Sequence, residues 1–147
     1  MKVPKYIERI DRWKEEFNFH IPIKIRFSET DMFGHVNNVS AFIYFEEARI
    51  EYLKSLDLFK DLQAPKAVPV VSDLQCDYLR PIYFQNDLKL YVKTVDVGQS
   101  SFDMHYLGIN EKDEICLTGR GRMVYVDTVS GKPVKLSEDM KNKLLSS

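Results

Sequence analysis

Apolar and polar residues alternate from Ile21 to Phe27: Ile21, Ile23, Ile25 and Phe27 are apolar, and Lys24 and Arg26 between them are charged. A period of two turns one face to a core and the other to water, which predicts a half-buried strand over 21–27. The period then changes. From Val39 to Leu56, Val39, Phe42, Ile43, Tyr44, Phe45, Ala48, Ile50, Tyr52, Leu53 and Leu56 recur at helical spacing, with no Gly or Pro among them. This is the longest helix expected in the chain. It is apolar over more than a narrow stripe, so it is expected to be substantially buried. Between the two elements, Ser28 to Asn38 contains Gly34, Asn37 and Asn38. These residue types tolerate unusual backbone angles, so the stretch reads as a loop, with Asn37 or Asn38 as the N-cap of the helix.

Beyond a loop around Pro65, four segments read as strands: Val68 to Leu79, Leu88 to Val97, Ser101 to Asn110 and Ile115 to Val126. They are separated at Pro81, at Gly98-Gln99 and at Glu111-Lys112-Asp113. The short connections joining the last three suit an antiparallel meander. At the N-terminus, 4–17 mixes Tyr6, Ile7, Ile10, Trp13 and Phe17 with charges at spacings of three and four, which predicts a short amphipathic helix serving as a lid or brace. A turn at Ser130-Gly131-Lys132-Pro133 precedes a short helix over 136–145. A strand, one long helix and four more strands make an α+β architecture, a mostly antiparallel five-stranded sheet against one helix.

The length of 147 residues fits one domain spanning 1–147. A domain of that size buries roughly 70% of its unfolded surface and needs no staples. A net charge of −1 argues against nucleic acid or an anionic membrane as a bulk electrostatic partner. Cys76 and Cys116 form no C-x-x-C pair and join no zinc-spaced cluster, so both read as buried thiols. No metal motif or Gly-rich nucleotide fingerprint is present, and the expectation is that no cofactor or metal is required. Charges run through the first 20 residues, and no window approaches the ~20 apolar residues of a membrane span, so a cytoplasmic protein is expected.

The stretch 25–53 carries Thr30-Asp31, then Gly34-His35-Val36-Asn37-Asn38, then Phe45-Glu46-Glu47-Ala48-Arg49. Further along come Tyr78-Leu79-Arg80-Pro81-Ile82, Asp87-Leu88, Gly98-Gln99-Ser100-Ser101-Phe102 and Gly131-Lys132-Pro133-Val134. In order and spacing, over roughly 21–135, this resembles the 4-hydroxybenzoyl-CoA and long-chain acyl-CoA thioesterase branch of the hotdog superfamily. The resemblance implies a hotdog fold, with the sheet wrapped around the central helix, and a homodimer or homotetramer with its site between subunits. It implies an acyl-CoA thioesterase that splits a fatty or aromatic acyl-CoA into free acid and CoA. Asp31 matches the family's acidic residue beside the thioester carbonyl. Asn38 and Val39 match the helix start whose N–H groups face the carbonyl oxygen. Some relatives carry a histidine where this chain has Asn38. Plant acyl-acyl carrier protein (acyl-ACP) thioesterases share the Asp31-to-His35 spacing but have an asparagine in place of Phe33.

The chemistry agrees with the resemblance. A thiol leaving group has a pKa near 8.5 and departs without strong acid assistance, so one carboxylate that activates water or attacks directly is enough. Unpaired N–H groups at a helix start suit the developing oxyanion. Taken alone, Asp31 is a turn residue as readily as a catalyst, and the surrounding motif makes it the candidate. His35 has structural and substrate-positioning readings of equal weight. Glu46 lies three residues before Arg49, which suits an ion pair, and it is the backup base because a second hotdog lineage takes its acid from the helix. Arg80, Lys89 and Arg120 or Arg122 are cations available to CoA phosphates, although each reads individually as solvated surface charge. The competing functions are an acyl-ACP thioesterase, a non-catalytic acyl-CoA-binding protein, and a hydratase or dehydratase. The last usually pairs a helix acid with a histidine in a proline-containing loop, and the residues around His35 hold no proline.

Overall fold

Helix α2, Ser40–Ser55, seats one face on a sheet. Ser40, Ala41, Tyr44, Phe45, Ala48, Arg49, Tyr52 and Leu53 are buried, a stripe that repeats every turn. Ala41 and Ala48, both fully buried, keep the helix backbone close to the strands. The opposite side is not covered by the described residues. Val39, Phe42, Ile43 and Ile50 are exposed, so the helix is buried along a stripe rather than all round.

The computed structural model describes residues 2–58 and 66–147, and Pro65, around which a loop was expected, lies outside them. Strands β1 (Phe19–Ile23), β2 (Ala67–Tyr78), β3 (Leu88–Val97), β4 (Ser101–Ile109) and β5 (Ile115–Asp127) form one antiparallel sheet in the order β1-β3-β4-β5-β2. Its inner face presents Leu88, Leu90 and Val92 from β3, Phe102, Met104 and Tyr106 from β4, and Cys116, Leu117 and Met123 from β5 to α2. Burying each such side chain contributes about 1.5–3 kcal/mol. Phe45 stacks on Tyr106 with centroids 4.4 Å apart, over Gly119. A Cβ at Gly119 would lie 2.5 Å from the Phe45 ring, so only glycine lets the helix sit this deep. Helix α3, Glu138–Leu145, closes the same core through Leu144, with Leu136 just ahead of the helix, and Ser137 caps it by accepting from the Met140 amide at 3.2 Å.

The outer face carries a second core of Leu107 and Ile109 under Ile7, Trp13 and Phe17. The N-terminal segment is therefore a brace, but its helix, α1, spans only Ile10–Glu15. Arg9 is extended, and Pro4 to Ile7 forms a turn instead. Strand β1 begins two residues before the expected range and ends four before it. Ile25 remains buried beyond the strand, whereas Phe27 is 78% exposed in a 3-10 turn, Phe27–Glu29. The Arg26 amide donates to Glu29 Oε1 at 2.8 Å, and this bond curls the chain out of the sheet.

Candidate active site

The chain leaving β1 folds back on itself at Asp31. The Asp31 amide donates to the His35 carbonyl at 2.7 Å, and the Gly34 amide to the Asp31 carbonyl at 3.1 Å. Gly34 has φ +79°, a left-handed conformation that glycine adopts without strain. The Asp31 side chain finishes the turn: its Oδ1 accepts from the amides of Phe33 (2.9 Å) and His35 (3.1 Å). Among the described residues, Oδ2 has no hydrogen-bond partner. One carboxylate oxygen thus holds the loop while the other stays available. The residue is exposed, at the rim of a cleft of about 360 Å³.

Two bonds tie the loop to its surroundings. The Asn37 amide donates to the Glu29 carbonyl (2.8 Å), and the Val36 amide to the Ile82 carbonyl (2.7 Å). Tyr44, one turn into α2, donates its hydroxyl to Glu29 Oε1 at 3.0 Å. Asn37 Oδ1 accepts from the Ser40 amide at 2.8 Å, so Asn37 caps the first amide of α2 from two residues ahead of Val39, which holds the N-cap position without a side-chain bond of its own. The amides of Asn38 and Val39, between this cap and the helix, have no acceptor among the described residues. Such donors at a helix start favour negative charge.

The cleft brings these elements together. Asp31, His35, Asn38, Tyr78 and Arg80 supply its polar groups, and Val36, Ala41, Leu79, Pro81, Ile82 and Leu117 its apolar lining. The His35 ring packs edge-on against Tyr83 at 5.0 Å. A carboxylate oxygen without a partner, free amides and an apolar wall suit the addition of water to a polarised carbonyl carried on an apolar chain.

A family model, that of the thioesterase-like superfamily, matches residues 25–144. The chain belongs to the thioesterase-like superfamily. Its five-stranded sheet and central helix are the hotdog fold of these thioesterases. It is 47% identical to the uncharacterized protein YsmA of Bacillus subtilis, over 99% of this chain and 98% of that one. It is 24% identical to the long-chain acyl-CoA thioesterase FadM of Escherichia coli, over 83% and 93% of the two chains. Among solved structures, a Thermus thermophilus thioesterase complexed with coenzyme A and Zn is 31% identical, with a TM-score of 0.77 over 90% of this chain and 95% of that one.

Within this superfamily frame, the other residues singled out from sequence fall in different places. Val39 is 64% exposed and does not line the cleft. Glu46 lies outside the cleft on the exposed side of α2, 4.0 Å from the Arg49 guanidinium. Of the candidate phosphate ligands, Arg80 reaches the cleft, and it pairs with Glu114 at 3.3 Å. Lys89 is exposed on β3, while Arg120 and Arg122 pair with Asp73 and Asp103. Cys116 is buried, whereas Cys76 is half-buried and its thiol is pushed up to about 12 by desolvation. Tyr78 was not singled out for a role: its hydroxyl donates to the Asn38 carbonyl across the cleft. Nothing local marks that pairing, because the partners are 40 residues apart.

Proposed function

We propose that the protein is an acyl-CoA thioesterase acting on fatty or aromatic acyl groups. The observation that carries this reading is the Asp31 carboxylate, held through Oδ1 with Oδ2 unpartnered, on the rim of an apolar cleft. Oδ2 takes a proton from water, and the water oxygen adds to the thioester carbonyl carbon. The C–S bond then breaks, the thiolate leaves, and the proton returns to it from Asp31, giving one acid and one thiol. Direct attack by Asp31 and hydrolysis of the resulting anhydride is the alternative with the same products. The Asn38 amide, which has no acceptor among the described residues and belongs to a residue that lines the cleft, supplies a donor for the oxyanion. A single such donor is worth ~3–4 kcal/mol in well-studied hydrolases. His35 shapes the loop through its backbone, and in this reading Arg80, a cleft residue paired with Glu114, meets a carrier phosphate.

The working form in this reading is a homodimer or homotetramer. Val39, Phe42, Ile43 and Ile50 of α2 are exposed, and β2 is an edge strand twelve residues long with Val70 and Val71 exposed. Proteins protect such edges by pairing or covering them. A cytoplasmic location belongs to the same reading; no helix among the described residues is long and apolar enough to cross a membrane. The test is a thiol-release panel of acetyl, medium, long-chain and aromatic acyl-CoA, with acyl-ACP alongside. Each buried methylene contributes ~0.8 kcal/mol, so decanoyl-CoA should exceed acetyl-CoA in kcat/KM by well over tenfold. Preference for acyl-ACP would move the carrier assignment. Saturable binding without thiol release would make the protein an acyl-CoA-binding protein instead.

A further inference from the structure

Resting on the thioesterase reading, we propose that Tyr78 is a positioning residue that holds the peptide next to the Asn38 N–H, the oxyanion donor of that reading. Three bonds fix the junction between the Asp31 loop and α2. The Asn37 amide is held by the Glu29 carbonyl, the Asn37 side chain by the Ser40 amide, and the Asn38 carbonyl by the Tyr78 hydroxyl. The first two come from the loop and the helix themselves. Of these three, the last comes from another element, the end of β2, where Tyr78 lines the cleft.

The peptide bond makes this contact consequential. The Asn38 carbonyl and the Val39 N–H belong to one planar unit and point in opposite directions. Holding the oxygen therefore fixes the plane of this peptide, with the Val39 N–H directed away from Tyr78. With Asn37 held on the other side, the two torsions at Asn38 have little freedom, so the Asn38 N–H is fixed as well. Asn38 lines the cleft. The phenol is not placed as an acid for the leaving thiolate, because its proton is directed at the Asn38 carbonyl. Its ring is 49% exposed, so trimming the hydroxyl opens no cavity.

The experiment is Tyr78→Phe, assayed on the best substrate of the wild-type panel, with melting and backbone amide order parameters measured on the same proteins. Misplacing reacting groups by about 1 Å costs up to ~100-fold, so kcat should fall roughly 10- to 100-fold. KM should stay within about twofold, the signature of an interaction made only in the transition state. Melting should be unchanged, and the order parameters of Asn38 and Val39 should drop from the rigid value of ~0.85 toward ~0.6. A rise in KM with kcat intact would make Tyr78 a substrate contact and overturn the proposal. Unchanged kcat, or unchanged order parameters, would overturn it as well. A wild-type protein that releases no thiol from any substrate overturns the thioesterase reading and, with it, the catalytic meaning of the anchor. The order parameters would still report whether Tyr78 holds the junction, which separates the two failures.

Discussion

On the outer face of the sheet, Trp13 Nε1–H donates to His105 Nδ1 at 2.7 Å and the Tyr6 hydroxyl donates to Thr118 at 3.1 Å. The Lys93 ammonium meets Glu16 at 2.5 Å, donates to the Trp13 carbonyl at 3.3 Å and lies over the Trp13 and Phe17 rings. Each of these polar groups has its partner inside the brace. On the inner face, at the mouth of the cleft, Asp31 Oδ2 and the Asn38 amide have none among the described residues. Both regions use charged and aromatic side chains next to a core. One consumes its hydrogen bonds to hold the N-terminus down, and the other leaves a base and a donor at the same opening. His105, displaced from its ordinary value to about 4 by burial and by Lys93, sits in the closed region. A strongly shifted group here marks packing, and unpartnered groups lining one cleft mark the chemistry.

The largest effect expected from this contrast is at Asp31. Asn keeps an Oδ1 that accepts from the Phe33 and His35 amides, so the loop should hold its shape. What is lost is the basic oxygen. Thiol release should fall by roughly two to four orders of magnitude, the usual range for a positioned acid–base group, with melting unchanged. Full activity in Asp31→Asn would detach the reaction from this cleft.

The second effect concerns stability and belongs to the brace. His105 Nδ1 accepts the Trp13 proton, so protonating that nitrogen would set two donors against each other. Asp103 and Glu16 favour the charged ring, while Lys93, Arg120 and burial oppose it, and the opposition prevails. The unfolded chain takes up a proton near pH 6.5 that the folded chain refuses until about pH 4. The stability from this site is therefore complete above about pH 6.5 and is lost as pH falls from there toward 4. Allowing for partial solvent screening, the loss is on the order of 2 kcal/mol. His105→Gln, whose amide oxygen still accepts from Trp13, should flatten that part of a plot of stability against pH obtained by urea titration. A slope that survives the substitution would place the titration elsewhere.

The sequence was most informative where its signals are local. The four later strands fall within one or two residues of their expected bounds, because turns such as Gly98-Gln99 and Asn110 to Glu114 are self-contained: Asn110 Oδ1 accepts from both the Lys112 and Glu114 amides. The Asp31 loop was readable for the same reason, since Gly34, Asn37 and Asn38 show their backbone requirements in their residue types. Where tertiary contacts decide, periodicity misled. Ile25 and Phe27 continue an alternation that the strand itself does not. Ile7, Trp13 and Phe17 are buried on the sheet without sharing one long helix. The breadth of apolar residues on α2 predicts burial beyond a narrow stripe, whereas the described residues cover one stripe and leave Val39, Phe42, Ile43 and Ile50 exposed. Tyr78 shows the limit at the site: its partner is set by how the end of β2 meets the start of α2, which no short window of sequence encodes.

The smallest effect expected is at Glu46, the carboxylate that rivals Asp31 on paper. Its side chain is 66% exposed and outside the cleft, and its contact with Arg49 is long, at 4.0 Å. Arg49 is buried and keeps its hydrogen bond to the Tyr106 hydroxyl, at 3.2 Å, whether or not Glu46 is charged. A pair with one exposed partner at that distance contributes ~0.5 kcal/mol. Glu46→Gln should therefore lower stability by about that much and leave kcat and KM within about twofold. The comparison with Asp31→Asn is informative because both changes remove one negative charge and almost no volume. If Glu46→Gln abolishes thiol release while Asp31→Asn retains it, the base lies on the exposed face of α2. The working site would then have to be completed by whatever covers Phe42, Ile43 and Ile50. Comparable losses in both variants, with folding intact, would mean that two carboxylates meet in the assembled protein, since Asp31 lines the cleft and Glu46 does not.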